Sequence, residues 1–461
     1  MVREETELLF EKVKSGGLAH LSYIIGTAGE AAVIDPRRDC DIYLEIADRE
    51  EMRIRYIFET HRNEDYVTGS LELSNKCGAR ILHGEQMDFG FGETVSDRDR
   101  FSLADLNIEC IHTPGHTLEH MAYLVRDPRL DDEPLILFSG DALFVGDTGR
   151  TDFFGRENDE RMASLLYRSI FERLLPLGDG VVLAPAHGAG SVCGGNISAR
   201  EISTIGIERR TNPILQKGMD DFIRTKVAEK HDRPAYFNMM ERLNQEGPSP
   251  LRNLPEPIAF SPQEFLEKME SGALVIDTRS PPSFAGVHIK DSYSMWREGI
   301  PSFAGCILPY DKPLLLVLEE RTDMDRVVRY LHRMGYDAVE GYLREGIENW
   351  IEGAYPTEHL GLLTVDELKD RMDSEDITVL DVRSQEDFES GHVSGAINIY
   401  CGQLANRVDE LPMDSPIAII CSVGYRSTLA ASILMMNRCP DALIVLGGTK
   451  AWEAAGYPVE M

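Results

Sequence analysis

Three residues of types that bind metal ions follow short strand-like stretches or lie in turns in the first half of the chain. His61 comes after the alternating stretch 54–58, and Asp141 comes after the apolar stretch 135–138. His116 lies in the turn Thr-Pro-Gly-His-Thr. The carboxyl ends of strands are where α/β proteins place their chemistry. Two histidines and one carboxylate are the ingredients of a facial metal site with open positions, so the pattern predicts such a site.

A second reactive stretch lies near the end of the chain. An apolar strand predicted over 417–420 runs into the loop Cys-Ser-Val-Gly-Tyr-Arg-Ser and then into a predicted helix over 428–436. Backbone N–H groups and the helix dipole stabilise a thiolate in such a loop, and Arg426 adds a charge that holds an anion. We therefore expect a lowered pKa and a nucleophilic role for Cys421. The loop residues predicted to contact the substrate are Ser422, Gly424 and Ser427.

The elements that must position the first set of residues are short strands alternating with helical segments. Many strands near the start and few long helices predict sheet packed on sheet with helices outside. The predicted strands are 18–25, 31–34, 54–58, 79–82, 106–111, 121–125, 135–138 and 181–184. The predicted helices are 41–50, 65–76 and 159–175, followed by helical spacing over 198–209, 213–230 and 236–243.

The second half of the chain contains an internal repeat. Asp277 and His288 recur 104 residues later as Asp381 and His392, each within a similar local sequence. A constant offset over several residue types indicates duplicated domains, and each copy alternates strands with helices as in a small parallel-sheet α/β domain. A proline-rich stretch over 247–257 predicts a linker before them. The predicted domains are 1–250, 258–355 and 360–461.

Composition narrows the classes of partner. The net charge of −31 disfavours nucleic acid and anionic membranes, because phosphate would be repelled. The eight cysteines lack CxxC spacing, which argues against a disulfide framework. No signal peptide is recognisable, and no apolar run approaches the roughly 20 residues of a membrane helix. We expect a cytoplasmic homo-oligomer, a dimer or a tetramer, with residues 198–246 as a candidate dimer contact.

The ordered motifs of the first half resemble the metallo-β-lactamase superfamily. They are Thr-His-…-Asp at 60–65, Thr-Pro-Gly-His-Thr, Ser-Gly-Asp at 139–141 and Pro-Ala-His-Gly at 185–188. The resemblance implies an αββα sandwich with metal at one edge of the two sheets. Together with the repeat, this predicts a multidomain α/β protein: the sandwich followed by two α/β domains with parallel sheets.

One motif departs from the family pattern. Asn63 and Tyr66 stand where dinuclear hydrolases such as glyoxalase II have histidines, so a two-zinc site is poorly supplied. The remaining His61, His116 and Asp141 suit one Fe(II) per chain, as in the persulfide dioxygenase branch of the superfamily. The resemblance then implies that Asp65 and His187 orient ligands or water.

Two residues near these motifs have two interpretations each. Arg150, in Gly-Arg-Thr-Asp, resembles the arginine that holds the thiol substrate in that branch, and it is equally compatible with a structural ion pair. Cys193 follows a glycine-rich stretch close after the last motif. It is either a small buried residue or an acceptor of a sulfur atom.

The cysteine loop, with Asp381-Val-Arg383 and Gly391-His392 upstream, resembles the rhodanese sulfurtransferases. The family implies a persulfide on Cys421 that is passed to an acceptor, whereas Asp381 and Arg383 hold the fold together. The first copy has no cysteine after its matching strand, 314–318, and continues with Glu-Glu-Arg-Thr-Asp. We therefore expect an inactive copy that serves as a spacer or docking surface.

These resemblances favour a persulfide dioxygenase coupled to a rhodanese, which consumes a low-molecular-weight thiol persulfide and O₂. Sulfite and thiosulfate link the two sites, and sulfur flow in either direction fits the sequence. The alternative is a glyoxalase II-like thioester hydrolase that uses zinc and a nucleophilic water, with a separate sulfurtransferase domain. A third hypothesis is a non-catalytic sulfur carrier or sensor that acts through the Cys421 persulfide.

Overall fold

The chain divides into two compact units in a computed structural model. The first unit consists of Met1–Asn253 with Arg333–Gly335, and the second of Leu254–His332 with Tyr336–Met461. The residues that the structure describes are 7–231, 233–251, 253–374, 377–412, 414–439 and 441–461.

Two six-stranded sheets form the centre of the first unit. The first sheet contains, in spatial order, β1 (Leu9–Ser15), β2 (His20–Thr27), β3 (Glu30–Ile34), β4 (Arg53–Phe58), β5 (Arg80–Gly84) and β6 (Glu93–Val95). The second contains β7 (Arg100–Leu103), β8 (Leu106–His112), β9 (Met121–Asp127), β10 (Glu133–Gly140), β11 (Val182–Pro185) and β12 (Ser203–Thr204), which also pair in sequence order. Strands β3 to β6 are parallel, and so are β10 and β11.

Apolar side chains from both sheets fill the space between them, and helices cover the outer faces. Tyr23, Phe58 and Phe138 lie in the shared core. The helices are α1 (Asp41–Arg49), α2 (Ser70–Cys77), α3 (Asp159–Arg168), α4 (Ile205–Thr211), α5 (Met219–Ala228) and α6 (Phe237–Glu246). Side chains of α1 and α2 pack on the first sheet, and those of α3 and α5 pack on the second. The predicted αββα sandwich is confirmed.

The structure corrects several predicted element boundaries. The helix predicted over 65–76 begins only at Ser70, because Thr68 and Ser70 both donate hydrogen bonds to the Glu59 carboxylate and hold the preceding residues in a loop. Of the helix predicted over 159–175, only Asp159–Arg168 is α-helical, and Ser169–Leu174 form a π-helical turn. The helix predicted from residue 198 begins at Ile205. Strands β1, β6 and β7 were not predicted, because they are short or have mixed polarity.

The second unit contains two copies of one fold. The first copy consists of β13 (Ile258–Phe260), α7 (Pro262–Glu270), β14 (Leu274–Asp277), α8 (Pro281–Gly286), β15 (His288–Ile289), β16 (Ser292–Ser294), α9 (Ile300–Ile307), β17 (Leu314–Val317), α10 (Met324–Arg333), β18 (Val339–Leu343), α11 (Gly346–Glu352) and β19 (Thr357–Glu358). The second copy consists of β20 (Gly361–Leu363), α12 (Val365–Ser374), β21 (Thr378–Asp381), α13 (Gln385–Glu389), β22 (His392–Val393), β23 (Ile397–Asn398), β24 (Ile417–Ile420), α14 (Tyr425–Met436), β25 (Ala442–Val445), α15 (Gly448–Ala454) and β26 (Val459–Glu460).

Both copies have the same sheet topology. A five-stranded parallel sheet runs β13-β18-β17-β14-β16 in the first copy and β20-β25-β24-β21-β23 in the second. A two-stranded antiparallel ribbon accompanies each sheet, β15 with β19 and β22 with β26. The predicted parallel-sheet repeat is confirmed. None of the helices in the described ranges combines the length and the apolar character needed to cross a lipid bilayer.

Candidate metal centre and cysteine loop

Loops at one edge of the two sheets bring His61, His116 and Asp141 together. His61 follows β4, His116 lies between β8 and β9, and Asp141 follows β10. All three side chains are buried. Asp141 Oδ2 lies 3.7 Å from His61 Nε2 and 3.4 Å from His116 Nε2. Within the described residues none of these three atoms has a hydrogen-bond partner, so two nitrogens and one oxygen face a common point.

Hydrogen bonds on the far side of each ligand candidate set this orientation. Thr60 Oγ1 donates to Asp35 Oδ2 and therefore accepts from His61 Nδ1, at 2.9 Å. His116 Nδ1 donates to the carbonyl oxygen of Arg150 at 3.0 Å. Both imidazoles therefore present an unprotonated Nε2 to the pocket when they are neutral, which is how second-shell partners orient metal-binding histidines. The donor set fits a divalent cation such as Fe(II).

The charges in this pocket are strongly coupled. Burial lowers the pKa of His61 well below its usual value, against the pull of the Asp141 carboxylate. Burial acts in the same direction on His116, but the Glu64 and Asp141 carboxylates outweigh it and raise the pKa of His116. The pKa of Asp141 lies well below its usual value despite burial, because His187 and His61 stabilise the carboxylate. Asp141 is therefore ionised and able to bind a cation.

His187 lies between two carboxylates. Its Nδ1 donates to Asp141 Oδ1 at 2.7 Å, and its Nε2 lies 3.0 Å from Asp65 Oδ2. The Nδ1 atom of His187 thus has a hydrogen bond to a carboxylate, whereas its Nε2, like those of His61 and His116, has no hydrogen-bond partner in the described residues. Asp141 keeps only its second oxygen for the pocket. This arrangement is the one expected of residues that orient a ligand.

Cys193 is buried next to this pair. Its Sγ lies within 4.8 Å of ligand atoms of Asp65 and His187, a grouping able to hold a metal ion. Burial and the nearby Asp65 carboxylate raise the pKa of Cys193 well above its usual value, so the protein alone keeps the thiol protonated. A role for Cys193 as the acceptor of a sulfur atom stays a prediction.

Arg150 is buried and forms an ion pair. Its Nε and one terminal nitrogen donate to the two oxygens of Asp152, at 2.6 and 2.7 Å, and another terminal nitrogen donates to the carbonyl of Val192. The carbonyl of Arg150 itself orients His116. These contacts agree with the structural alternative, and substrate binding by this guanidinium stays a prediction.

Sequence reasoning missed Glu64, which lies in this pocket, and Asn244, which holds the loop that carries Glu64. Glu64, within the loop after β4, is buried and forms a metal-capable group with His61 and His116. The signal in the sequence was an acidic residue three positions after a candidate ligand. Asn244 lies on α6, far away in sequence, and its side chain donates to the backbone carbonyls of Asn63 and Tyr66. Nothing in its local sequence predicts these contacts.

Cys421 lies at the end of β24, where a loop folds around its sulfur. Gly424 adopts φ 115°, a left-handed conformation that favours glycine, and its backbone N–H donates to Cys421 Sγ at 3.1 Å. The hydroxyl of Ser427 lies 3.5 Å from the same sulfur. Helix α14 begins at Tyr425, directly after the loop. The sulfur therefore accepts a backbone hydrogen bond at a helix N-terminus, an arrangement that stabilises a thiolate or a persulfide anion.

Arg426 and Ser422 lie across the mouth of this loop. A terminal nitrogen of Arg426 donates to Ser422 Oγ at 3.0 Å and lies 3.5 Å from an oxygen of Asp387. The side chain is partly exposed, so its charge can reach an incoming anion. Trp296 of the first copy packs edge-on against Tyr425 at 5.3 Å, so the cysteine-free copy contributes a wall beside the loop.

Family models match most of the chain. The model described as "Metallo-beta-lactamase superfamily" matches residues 15–187, and the model described as "Rhodanese-like domain" matches residues 261–352 and 364–455. These ranges contain the metal-ligand candidates and the cysteine loop.

Known proteins resemble either the first half or most of the chain. The mouse (Mus musculus) protein "Persulfide dioxygenase ETHE1, mitochondrial" is 30% identical over 216 residues, which are 44% of this chain and 74% of that protein. A "Hydroxyacylglutathione hydrolase" from Rhizobium johnstonii is 31% identical over 222 residues, 44% of this chain and 83% of that protein. A crystal structure of a metallo-beta-lactamase from Staphylococcus aureus is 28% identical, has a TM-score of 0.65, and covers 73% of this chain and 99% of its own.

Proposed function

We propose that this chain, which belongs to the metallo-β-lactamase superfamily and carries two rhodanese-like domains, is an iron-dependent persulfide dioxygenase coupled to a sulfurtransferase. The observation that carries the proposal is the meeting of His61, His116 and Asp141 around one buried point. The Nε2 atoms of His61 and His116 lie 3.7 and 3.4 Å from Asp141 Oδ2, and none of these three buried atoms has a hydrogen-bond partner in the described residues. His187 is held differently, because its Nδ1 donates to the other oxygen of Asp141. Two histidines and one carboxylate are the donor set of one mononuclear site with open positions.

The reaction at this site is the oxidation of a thiol persulfide. It balances as R–S–S⁻ + O₂ + H₂O → R–SH + SO₃²⁻ + H⁺: the terminal sulfur is oxidised, O₂ is reduced, and the S–S bond breaks. Bound iron supplies the redox chemistry that O₂ requires and that zinc lacks. His61, His116 and Asp141 hold the ion, and His187 fixes the Asp141 carboxylate. The three side chains are themselves buried, so bulk water has little access to the ion they would hold.

The cysteine loop performs the second part of the proposed function. Cys421 attacks a sulfane-sulfur donor, which leaves one sulfur on Cys421 as a persulfide and releases the donor as sulfite or a thiol. The Gly424 N–H and the Arg426 guanidinium stabilise the anions involved. Sulfite from the metal site can take that sulfur and become thiosulfate, and thiosulfate can supply it in the reverse direction. Both sites would then handle the same small sulfur compounds.

The test is iron content together with oxygen uptake. Protein purified anaerobically is expected to contain about one iron per chain and to consume O₂ on addition of glutathione persulfide. His116→Ala is expected to lose the iron and the uptake. The matched control is His83→Ala, because His83 is also a buried imidazole of the first unit but bonds to the carbonyls of Gly84 and Phe91. Uptake that survives in His116→Ala would overturn the proposal.

A thioester hydrolase is the second candidate. The similarity to hydroxyacylglutathione hydrolases and the grouping of Asp65, His187 and Cys193 around a second metal-capable point favour it. This function would need two zinc ions and a nucleophilic water. Two zinc ions per chain, hydrolysis of a glutathione thioester and no oxygen uptake would favour the hydrolase over the dioxygenase.

A further inference from the structure

Glu64 is a buried acid without a hydrogen-bond donor in the described residues. Its side chain is fully buried, and neither carboxylate oxygen has a hydrogen-bond partner there. Burying a carboxylate is strongly unfavourable unless hydrogen bonds or a cation compensate for the lost water. An unpartnered, fully buried acid therefore indicates an absent positive group.

Three other buried acids of the first unit have hydrogen-bond donors. Glu59 accepts hydrogen bonds from Thr68 and Ser70. Asp35 accepts from the backbone N–H and the hydroxyl of Thr60. Glu119 accepts from the backbone N–H of Arg62. Each of these three carboxyl groups accepts at least one hydrogen bond from the protein, whereas Glu64 accepts none in the described residues.

The carboxylate of Glu64 faces the metal ligands. Its Oε2 lies 3.6 Å from His116 Nε2 and 3.9 Å from His61 Nε2. Asp141 Oδ2 lies at similar distances from the same two nitrogens, 3.4 and 3.7 Å. Two carboxylates therefore flank one pair of imidazoles, at separations too long for direct hydrogen bonds and suited to donors around a shared ion.

The backbone on both sides of Glu64 is held in place by α6. Asn244 Nδ2 donates to the carbonyls of Asn63 and Tyr66, at 2.7 Å each, and Asn244 Oδ1 accepts from the N–H of Thr68. Asn63 Nδ2 also donates to the carbonyl of His61. The loop is thus pinned at residues before and after Glu64, which fixes the direction of its side chain.

We propose that Glu64 is a fourth protein ligand of the ion held by His61, His116 and Asp141. The centre would then be a two-histidine, two-carboxylate site, in which two negative charges neutralise a divalent cation. This inference deepens the proposed function and rests on its single metal centre.

The test uses Co(II), a divalent probe whose visible spectrum reports on its ligands, with the full-length chain freed of metal. Binding is measured by competition with a chromogenic chelator, and the ligand-field bands are recorded under nitrogen. Glu64→Gln is expected to weaken Co(II) binding at least tenfold and to change the band positions and intensities. Glu59→Gln is the matched control, because it alters a buried carboxyl of the same loop that the protein already satisfies. It is expected to leave the Co(II) spectrum unchanged.

A second variant covers the case in which Glu64→Gln does not fold, as judged by circular dichroism. Glu64→Asp keeps the charge but withdraws the oxygen by one methylene, and it is expected to weaken binding and to shift the bands. Affinity and spectrum equal to those of the unmodified chain in the folded variants would overturn the inference. If Glu64→Gln changes the Co(II) spectrum but the unmodified chain shows no oxygen uptake, Glu64 is a metal ligand and the dioxygenase proposal is wrong. If the unmodified chain consumes O₂ but the Glu64→Gln spectrum is unaltered, the dioxygenase proposal stands and Glu64 is not a metal ligand.

Discussion

The two rhodanese-like copies share their structural supports and differ at the end of one strand. In the first copy Arg279 forms a two-bond ion pair with Asp277 and donates to the carbonyl of Val287. In the second, Arg383 pairs with Asp381 and donates to the carbonyl of Gly391, with closely similar distances. These buried pairs join the sheet to the following helix and ribbon. They maintain the fold in a copy with the cysteine and in one without it.

In the second copy strand β24 leads directly into Cys421, whereas the equivalent strand of the first copy, β17, is followed by other residues. Strand pairing places Val317 opposite Asp277 and Ile420 opposite Asp381, so Leu318 stands where the second copy has Cys421. The next residue, Glu319, accepts hydrogen bonds from the N–H of Ser280 and the hydroxyl of Ser283. The first copy thus places its own carboxylate in the region where a substrate anion would be bound. The two copies therefore differ at one strand end and its loop, where the second has a cysteine and the first a leucine followed by a carboxylate.

The largest effect is expected from removal of the reactive thiol. Cys421→Ser should lower sulfur transfer from thiosulfate to cyanide by on the order of 10³-fold or more, because the hydroxyl cannot carry the transferred sulfur. Thiocyanate formation measures this activity. Cys439→Ser, a change at another buried cysteine of the same copy, should leave it within about twofold.

The same assay tests whether the first copy can be reactivated. Leu318→Cys in the Cys421→Ser background should restore no activity, because Glu319 repels an anionic donor and the loop lacks the Gly424 N–H that contacts the sulfur. Recovery of a substantial fraction of the original rate would show that the cysteine alone distinguishes the two copies.

The next largest effect is a loss of stability, which we expect when the buried Asp–Arg ion pair of either copy is broken. Asp277→Asn and Asp381→Asn should each lower the free energy of unfolding by about 3–5 kcal/mol, because each leaves a buried guanidinium without its charge partner. Urea denaturation of the full-length chain measures both. Asp325→Asn, which removes an exposed pair with Arg329, should cost less than about 0.5 kcal/mol. A large loss in only one copy would break the equivalence of the two pairs.

The smallest expected effect concerns acid sensitivity. Burial lowers the pKa of His288 to about 4, although its ring donates to the carbonyl of Phe284. Between about pH 6.5 and pH 4 the unfolded chain therefore binds this proton more readily than the folded one, and stability falls as pH falls, by at most about 1.4 kcal/mol per pH unit.

A neutral substitution should remove that dependence. His288→Gln is expected to flatten the fall of the unfolding midpoint between pH 6.5 and pH 4 relative to the unmodified chain. His392→Gln changes the matching but less buried ring, which also donates to a phenylalanine carbonyl, and it reports the cost of losing the ring itself. Parallel pH curves for His288→Gln and the unmodified chain would contradict the assignment.

Local patterns in the sequence were enough to identify the two copies and the sandwich. The 104-residue offset, the strand before Cys421 and the motifs around His61, His116 and Asp141 are features of neighbouring residues. The structure places Cys421, His61 and Asp141 after the ends of strands and His116 in the loop between β8 and β9. The helix expected from residue 65 was wrong in its first turn, because contacts of Thr68 and Ser70 with Glu59 hold the chain in a loop.

The sequence by itself determined the residue types of both sites, because apolar alternation and turn residues specify where strands end. Only the tertiary structure decided which side chains meet. His187 was expected near the metal, but its position between Asp65 and Asp141 depends on loops far apart in the chain. Glu64 faces the imidazoles because Asn244, about 180 residues later, holds its loop from α6. Hydrogen bonds over such separations leave no periodic signal in a sequence, since they depend on how the sheets and helices pack.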